Sequence, residues 1–137
     1  MEQKIIYDNQ QMPGIPVVGK VAAGTPRFSE EVSLGHVVST RYSPEDKKIF
    51  ALQIVGDSMI EDGIFNGNYI VCRQTTDFTN GDIVIAYVNE EATVKRIYKR
   101  GSKIILQPAN AELSPIEVDP QYQSFRVGGK VLEVLRH

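Results

Sequence analysis

Apolar residues in this chain recur at every second position or in short unbroken runs, and Gly, Asn, Asp and Pro separate them. A period of two belongs to a strand with one buried face, and a short continuous run fits a strand buried on both. On that pattern residues 50–55, Tyr69–Arg73, Ile83–Val88, 93–98 and 103–106 are predicted strands, rich in Ile, Val, Tyr and Phe. Val127 and the stretch 131–135 predict one or two more. Turns are expected at Asn66-Gly67, Asn80-Gly81, Arg100-Gly101 and Gly128-Gly129, each offering a residue that tolerates positive φ. Asn89-Glu90-Glu91 joins two strands at hairpin distance. Helix is scarce; residues 57–62 predict about one turn before Gly63. The fold class is mostly β, built of short antiparallel strands with very little helix.

The first thirty residues break the pattern. Residues 1–12 are polar and aperiodic, Pro13-Gly14-Ile15-Pro16 interrupts them, and residues 17–24 form a short extended segment of small and β-branched residues stopped by Pro26. Residues 1–30 are therefore expected to be a flexible arm, and 31–137 the folded domain. A chain of 137 residues is one domain's worth, able to bury roughly 65–70% of its unfolded surface. No apolar run approaches the ~20 residues of a membrane span. No signal peptide is apparent, so the expected location is the cytoplasm. The single cysteine, Cys72, excludes an intrachain disulfide and a multi-cysteine zinc site, and its apolar run predicts a buried, inert thiol.

A net charge of −2 argues against a domain that grips nucleic acid through phosphates. Lys95-Arg96, Lys99-Arg100 and Lys103 are the nearest to a basic patch, and a solvated strand edge explains them as simply. No amphipathic helical pair resembles a helix-turn-helix, so direct DNA binding by this chain is not expected.

Hydrolysis needs a nucleophile, a group to take its proton and donors for the oxyanion. The two histidines, His36 and His137, lie far from any Gly-x-Ser-x-Gly elbow, and no cluster has metal-ligand spacing, so neither a Ser-His-Asp triad nor a metal or cofactor is supported. A lysine can serve as base once burial strips the hydration that stabilises its charge. Alternation along residues 92–98 puts Lys95 on the face of Thr93 and Ile97, with Arg96 on the other, so one of the two cations points inward if either face is buried. The simpler reading is a solvated edge lysine. In Val55-Gly56-Asp57-Ser58-Met59, Gly56 permits a sharp turn that presents Ser58 at a strand end, with backbone N–H groups available to an oxyanion. The structural alternative is that Asp57 or Ser58 caps the turn that follows.

Several ordered motifs resemble the catalytic domain of the LexA repressor family, which includes phage repressors and the UmuD mutagenesis proteins. They are Gly56-Asp57-Ser58-Met59 with Asp62-Gly63-Ile64, then residues 80–86, then Ala92-Thr93-Val94-Lys95-Arg96, and Leu106-Gln107-Pro108-Ala109-Asn110. Residues 15–24 resemble the family's cleavage region. The serine follows Gly24 by 34 positions (24 to 58) and precedes Lys95 by 37 (58 to 95), as in the family. The resemblance implies a LexA/signal-peptidase-like fold with Ser58 as nucleophile, Lys95 as base and Ala23–Gly24 as the bond cut in the chain itself. It also implies that the Asp57 and Ser58 amides form the oxyanion hole, that the protein is a homodimer, and that a RecA–single-stranded DNA filament stimulates cleavage after DNA damage, relieving repression. Asn66-Gly67-Asn68 departs from the family's usual Asp-Gly-Asp. LexA proteins carry a winged helix-turn-helix ahead of the cleavage region, whereas 23 residues precede Gly24 here, as expected of a repressor's C-terminal domain or of a natural short relative.

The arm is a candidate for the cover of Lys95. Val17, Val18, Val21 and Ala22 are apolar, and their docking beside the site is expected to desolvate the base and deliver Ala23–Gly24 together. Three other readings remain open: a UmuD-like accessory subunit of an error-prone translesion polymerase, a non-catalytic dimerisation module, and a signal peptidase, which the lack of a membrane anchor disfavours.

Overall fold

The alternating segments become strands of one mixed sheet. A computed structural model of the chain describes residues 5–6, 14–21 and 35–136. In chain order the strands are β1 (Ile5–Ile6), β2 (Ile15–Val21), β3 (His36–Val37), β4 (Ile49–Ile54), β5 (Tyr69–Arg73), β6 (Ile83–Val88), β7 (Glu91–Arg100), β8 (Lys103–Gln107), β9 (Ile116–Val118) and β10 (Phe125–Leu135). Their spatial order is β1-β3-β2-β4-β5-β10-β6-β7-β8-β9. All neighbours run antiparallel except β2 and β4, which pair in parallel. The one helical element among the described residues is a 3-10 turn, Ile60–Asp62, closed by Gly63 at φ 77°.

Side chains alternate across the strands into three apolar clusters. Leu52, Ile54, Met59, Ile64, Ile70, Ile85, Tyr87 and Val94 pack together on one face. Ile15, Val17, Val37, Ile49, Ala51, Tyr69, Val71 and Leu135 form a second cluster where β2 meets β4. Val84, Ala86, Ile97, Leu106, Val118 and Val127 form a third beneath β6, β7 and β8. Cys72 is fully buried, and burial pushes its thiol pKa up, so it is an inert core residue as its sequence context predicts.

Three turns follow the sequence: Gly67, Gly81 and Gly101 all have positive φ. The β6–β7 hairpin is tighter than expected. Val88 pairs with Glu91, leaving a two-residue loop in which Asn89 (φ 50°) and Glu90 (φ 68°) are both left-handed, the geometry that matches strand twist.

Gly128-Gly129 is a correction. The pair makes no turn but lies inside β10, a single strand whose first half pairs with β6 and second half with β5. Space, not φ, requires glycine there. A Cβ on Gly128 would stand 2.5 Å from Tyr87 Cε2, and one on Gly129 3.1 Å from both Arg73 O and Phe50 Cζ. The register of β10 shifts between Val127 and Gly129 and again between Val131 and Glu133. Such bulges bend a long strand enough to serve two neighbours.

Candidate active site

Ser58 sits on a loop that glycine allows and the core anchors. After β4, Gly56 turns the backbone at φ 99° while its N–H donates to Asn66 Oδ1 at 2.9 Å. Three residues on, Met59 is buried among Leu52 and Ile64, which pulls the loop down on the far side of Ser58. The capping alternative fails. Met59 is the N-cap of the 3-10 turn and no side chain caps it, so the Ser58 hydroxyl faces elsewhere.

It faces Lys95. Regular pairing of β7 with β6 sets Lys95 opposite Val84 and Thr93 opposite Ala86, on the face of the third apolar cluster. Lys95 Nζ lies 3.1 Å from Ser58 Oγ, 2.5 Å from Thr93 Oγ1 and 3.2 Å from the Val94 carbonyl oxygen. The residue is only 6% exposed, and among the described residues no carboxylate pairs with it. Burial without a counter-charge disfavours the ammonium and brings the Lys95 pKa down to about 8. Such an amine is neutral in about a tenth of molecules at pH 7 and about half at pH 8, and the neutral form is able to take a proton from the hydroxyl beside it. At 3.1 Å the pair bonds in either sense: the ammonium donates to Ser58 Oγ, and the free amine accepts from the Ser58 hydroxyl.

Arg96, next in sequence, leaves the opposite face. Its guanidinium meets Asp62 Oδ2 at 2.8 Å and donates to the Gly81 carbonyl oxygen at 2.5 Å. The 3-10 turn after Ser58 is thereby tied to the strand that carries Lys95.

The loop after β8, residues 108–113, closes the other side. The Ala109 N–H donates to the Ser58 carbonyl oxygen at 2.8 Å, the Glu61 N–H to the Ala109 carbonyl oxygen at 2.7 Å, and the Ala111 N–H to Glu61 Oε2 at 2.7 Å. Asn110 Nδ2 donates to the Asp57 carbonyl oxygen at 2.9 Å. Among the described residues, the N–H groups of Asp57 and Ser58 donate to no group of the chain, which leaves them available to a bound oxyanion. A cavity of about 760 Å³ opens onto Ser58, Thr93 and Lys95. Val88, Ala92 and Pro108 line it together with Leu113 and Ile116, which are 44% and 41% exposed despite being large and apolar. Ala92 and Pro108 belong to the sequence motifs, whereas Val88, Leu113 and Ile116 lie in none, and only the tertiary fold brings those three to the site.

The other expected site residues fall in different places. Val17 is fully buried in the β2–β4 cluster and not in the one beneath Lys95. Val18 is half-buried against the cluster of Val94 and Ala92, across the sheet from the amine. The backbone of Val21 ends β2, paired with Ile54. Ala22 and the Ala23–Gly24 bond lie outside the described residues, as does His137. His36 lies in β3, across the sheet from β7.

Residues 16–132 match the family described as Peptidase S24-like. The chain is 41% identical over 139 residues to a LexA repressor of Acetivibrio thermocellus, covering 98% of this chain and 62% of that protein. It is 39% identical over 137 residues to the LexA repressor of Bacillus licheniformis, covering 98% and 64%. It is 40% identical over 131 residues to that of Geobacillus kaustophilus, covering 94% and 61%. The chain thus spans a little over three-fifths of the length of the curated relatives it matches. The resemblance to LexA repressors carried by the sequence motifs extends over nearly all of its residues, and with a matched segment running from β2 into β10 the chain belongs to the Peptidase S24-like family.

Proposed function

We propose that this chain is the self-cleaving catalytic domain of a LexA-type repressor, cutting its own Ala23–Gly24 bond with a Ser58–Lys95 dyad. One observation carries the reading: a buried lysine amine without a counter-charge, 3.1 Å from a serine hydroxyl. The chemistry follows from that pair. Neutral Lys95 takes the hydroxyl proton as Ser58 Oγ adds to the Ala23 carbonyl carbon. The oxyanion is received by the Asp57 and Ser58 N–H groups. Lys95 then gives the proton to the Gly24 nitrogen as the C–N bond breaks, leaving an ester on Ser58. Water, deprotonated by the same amine, hydrolyses that ester and restores the serine.

Delivery of the bond belongs to the segment after β2. Val17 and Val18 anchor the strand, and docking of Val21 and Ala22 beside the cavity would deliver the bond. The apolar walls at Leu113 and Ile116 suit the short apolar side chains that precede the cut. Because nucleophile and bond share one chain, the effective concentration is high, on the order of 10⁵ M for a well-held geometry. Restraint then requires that the docked arrangement be rare until a partner favours it; shifting a 1:99 population to 99:1 takes about 10⁴-fold preferential binding. A RecA–single-stranded DNA filament as that partner, a homodimer as the working unit, a cytoplasmic location and a division into arm (1–30) and catalytic domain (31–137) complete the proposal. Relatives named LexA repressor favour relief of repression over a UmuD-like polymerase role as the output.

Incubating the purified chain at pH 9, above the Lys95 pKa, and weighing it intact tests the reading. The expected result is a split between Ala23 and Gly24 in the wild type and none in Ser58→Ala. A wild type that stays whole, with and without an activated RecA filament, would favour a non-catalytic dimerisation module instead.

A further inference from the structure

We propose that Asn110 is a positioning residue for the oxyanion hole, holding the Asp57–Ser58 peptide in the one orientation that aims the Ser58 N–H at the reacting carbonyl. The inference rests on the self-cleavage reading above. Asn110 is nearly fully buried and stands on a loop remote in sequence from Ser58. Its Nδ2 donates to the Asp57 carbonyl oxygen at 2.9 Å, and its Oδ1 accepts the Glu112 N–H at 3.0 Å. The two partners fix which end of the amide faces which way.

Asp57 O and the Ser58 N–H belong to one peptide group. No peptide among the described residues is cis, so the two point in opposite directions from a common plane. Whatever holds the carbonyl therefore holds the N–H. Among the described residues no backbone N–H serves the Asp57 carbonyl, whereas the next carbonyl, of Ser58, is held by the Ala109 N–H at 2.8 Å. Neighbouring residues 109 and 110 thus pin the peptides on both sides of the nucleophile, one through backbone and one through a side chain. Donation to a carbonyl also polarises its amide and strengthens the N–H as a donor. Asparagine suits the position because it supplies a donor and an acceptor at once; an ionised aspartate supplies only acceptors.

Asn110→Asp and Asn110→Ala separate this role from plain structure. Aspartate keeps the acceptor for Glu112 and so keeps the turn; it loses the donor to Asp57. Self-cleavage is followed from pH 7 to 10.5, with rates taken per folded molecule and thermal unfolding recorded alongside. The expected result is a plateau rate above the Lys95 pKa lowered about 10- to 100-fold in both variants, with the midpoint unmoved in Asn110→Ala. In the catalytically silent Ser58→Ala background, removing Asn110 is expected to shift the amide proton resonance of residue 58. Wild-type plateau rates in Asn110→Asp would reduce Asn110 to a turn-forming residue. A loss in Asn110→Ala that merely tracks its folded fraction would do the same. If the variants match a wild type that cleaves, this inference alone falls; a wild type that never cleaves overturns the proposed function and this role with it.

Discussion

Lys95 and Arg96 leave β7 on opposite faces, and the two faces treat a cation differently. Arg96 meets a carboxylate at 2.8 Å and a backbone carbonyl, with both charged partners still about a quarter to a third exposed to water. Lys95 meets a hydroxyl on either side and one carbonyl, in apolar surroundings, with no carboxylate paired to it among the described residues. The first arrangement keeps a charge and spends it on tying two segments together. The second raises the free energy of the ammonium until the free amine competes. What lowers the cost of a neutral Lys95, and would let it serve as the proposed base, is therefore the missing counter-charge as much as the burial.

Replacing the amine by a group that cannot be neutral breaks the comparison most severely. Lys95→Arg keeps length and charge but stays protonated at any accessible pH, so self-cleavage at pH 9 is expected to fall by about 10³-fold or more, read by intact mass over days. Giving Lys95 the counter-charge that Arg96 has comes next. Thr93→Asp places a carboxylate within a few ångströms of Nζ and is expected to raise the lysine pKa by about 1–3 units. The rate at pH 8 then drops about 5- to 500-fold and recovers toward pH 10.5, a signature that simple damage to the site does not give.

Stability sharpens the same contrast. The folded-state pKa of Lys95, about 8, lies below the 10.5 usual for a lysine, so between those values the unfolded chain binds more protons and stability rises with pH. At pH 7 the buried amine costs the fold about 3 kcal/mol, on the order set by that displacement. Lys95→Met is accordingly expected to be more stable than wild type by about 2–3 kcal/mol at pH 7 in urea unfolding, and the gain should shrink as pH rises from 8 to 10.5. The smallest effect belongs to the other face. Asp62→Asn removes the Arg96 ion pair and should cost about 1 kcal/mol in the same assay, leaving the midpoint of the pH–rate curve in place.

Much of the fold was legible because alternation and turn residues speak locally. Tyr69–Arg73 and Ile83–Val88 run between the residues their apolar patterns predict, and the ends of β4, β7 and β8 differ by a residue or two. β1, β3 and β9 were not legible: two or three residues are too few to show a period. Gly128-Gly129 misled because a glycine pair signals either freedom in φ or want of space, and only the ring of Tyr87 and the carbonyl of Arg73 distinguish them. At the site, Ser58 and Lys95 stood out through motif and spacing, and strand alternation correctly put Thr93 beside Lys95. The clamp from Ala109 and Asn110 was hidden, although those residues lay within a motif, because it joins loops some fifty positions apart. Val17 reads as part of a docking arm from its apolar character alone, and its parallel pairing with Ala51 is what builds it into the core.

The most direct test of a neutral lysine base is the titration of Lys95 itself, by nuclear magnetic resonance of selectively labelled lysine side chains in Ser58→Ala, where cleavage cannot interfere. The account predicts one lysine, absent from the Lys95→Met spectrum, that titrates near pH 8. The wild-type cleavage rate should rise about tenfold per pH unit up to that same midpoint and then level off. A Lys95 that titrates above pH 10 would contradict it, because an amine charged throughout the physiological range cannot take the Ser58 proton.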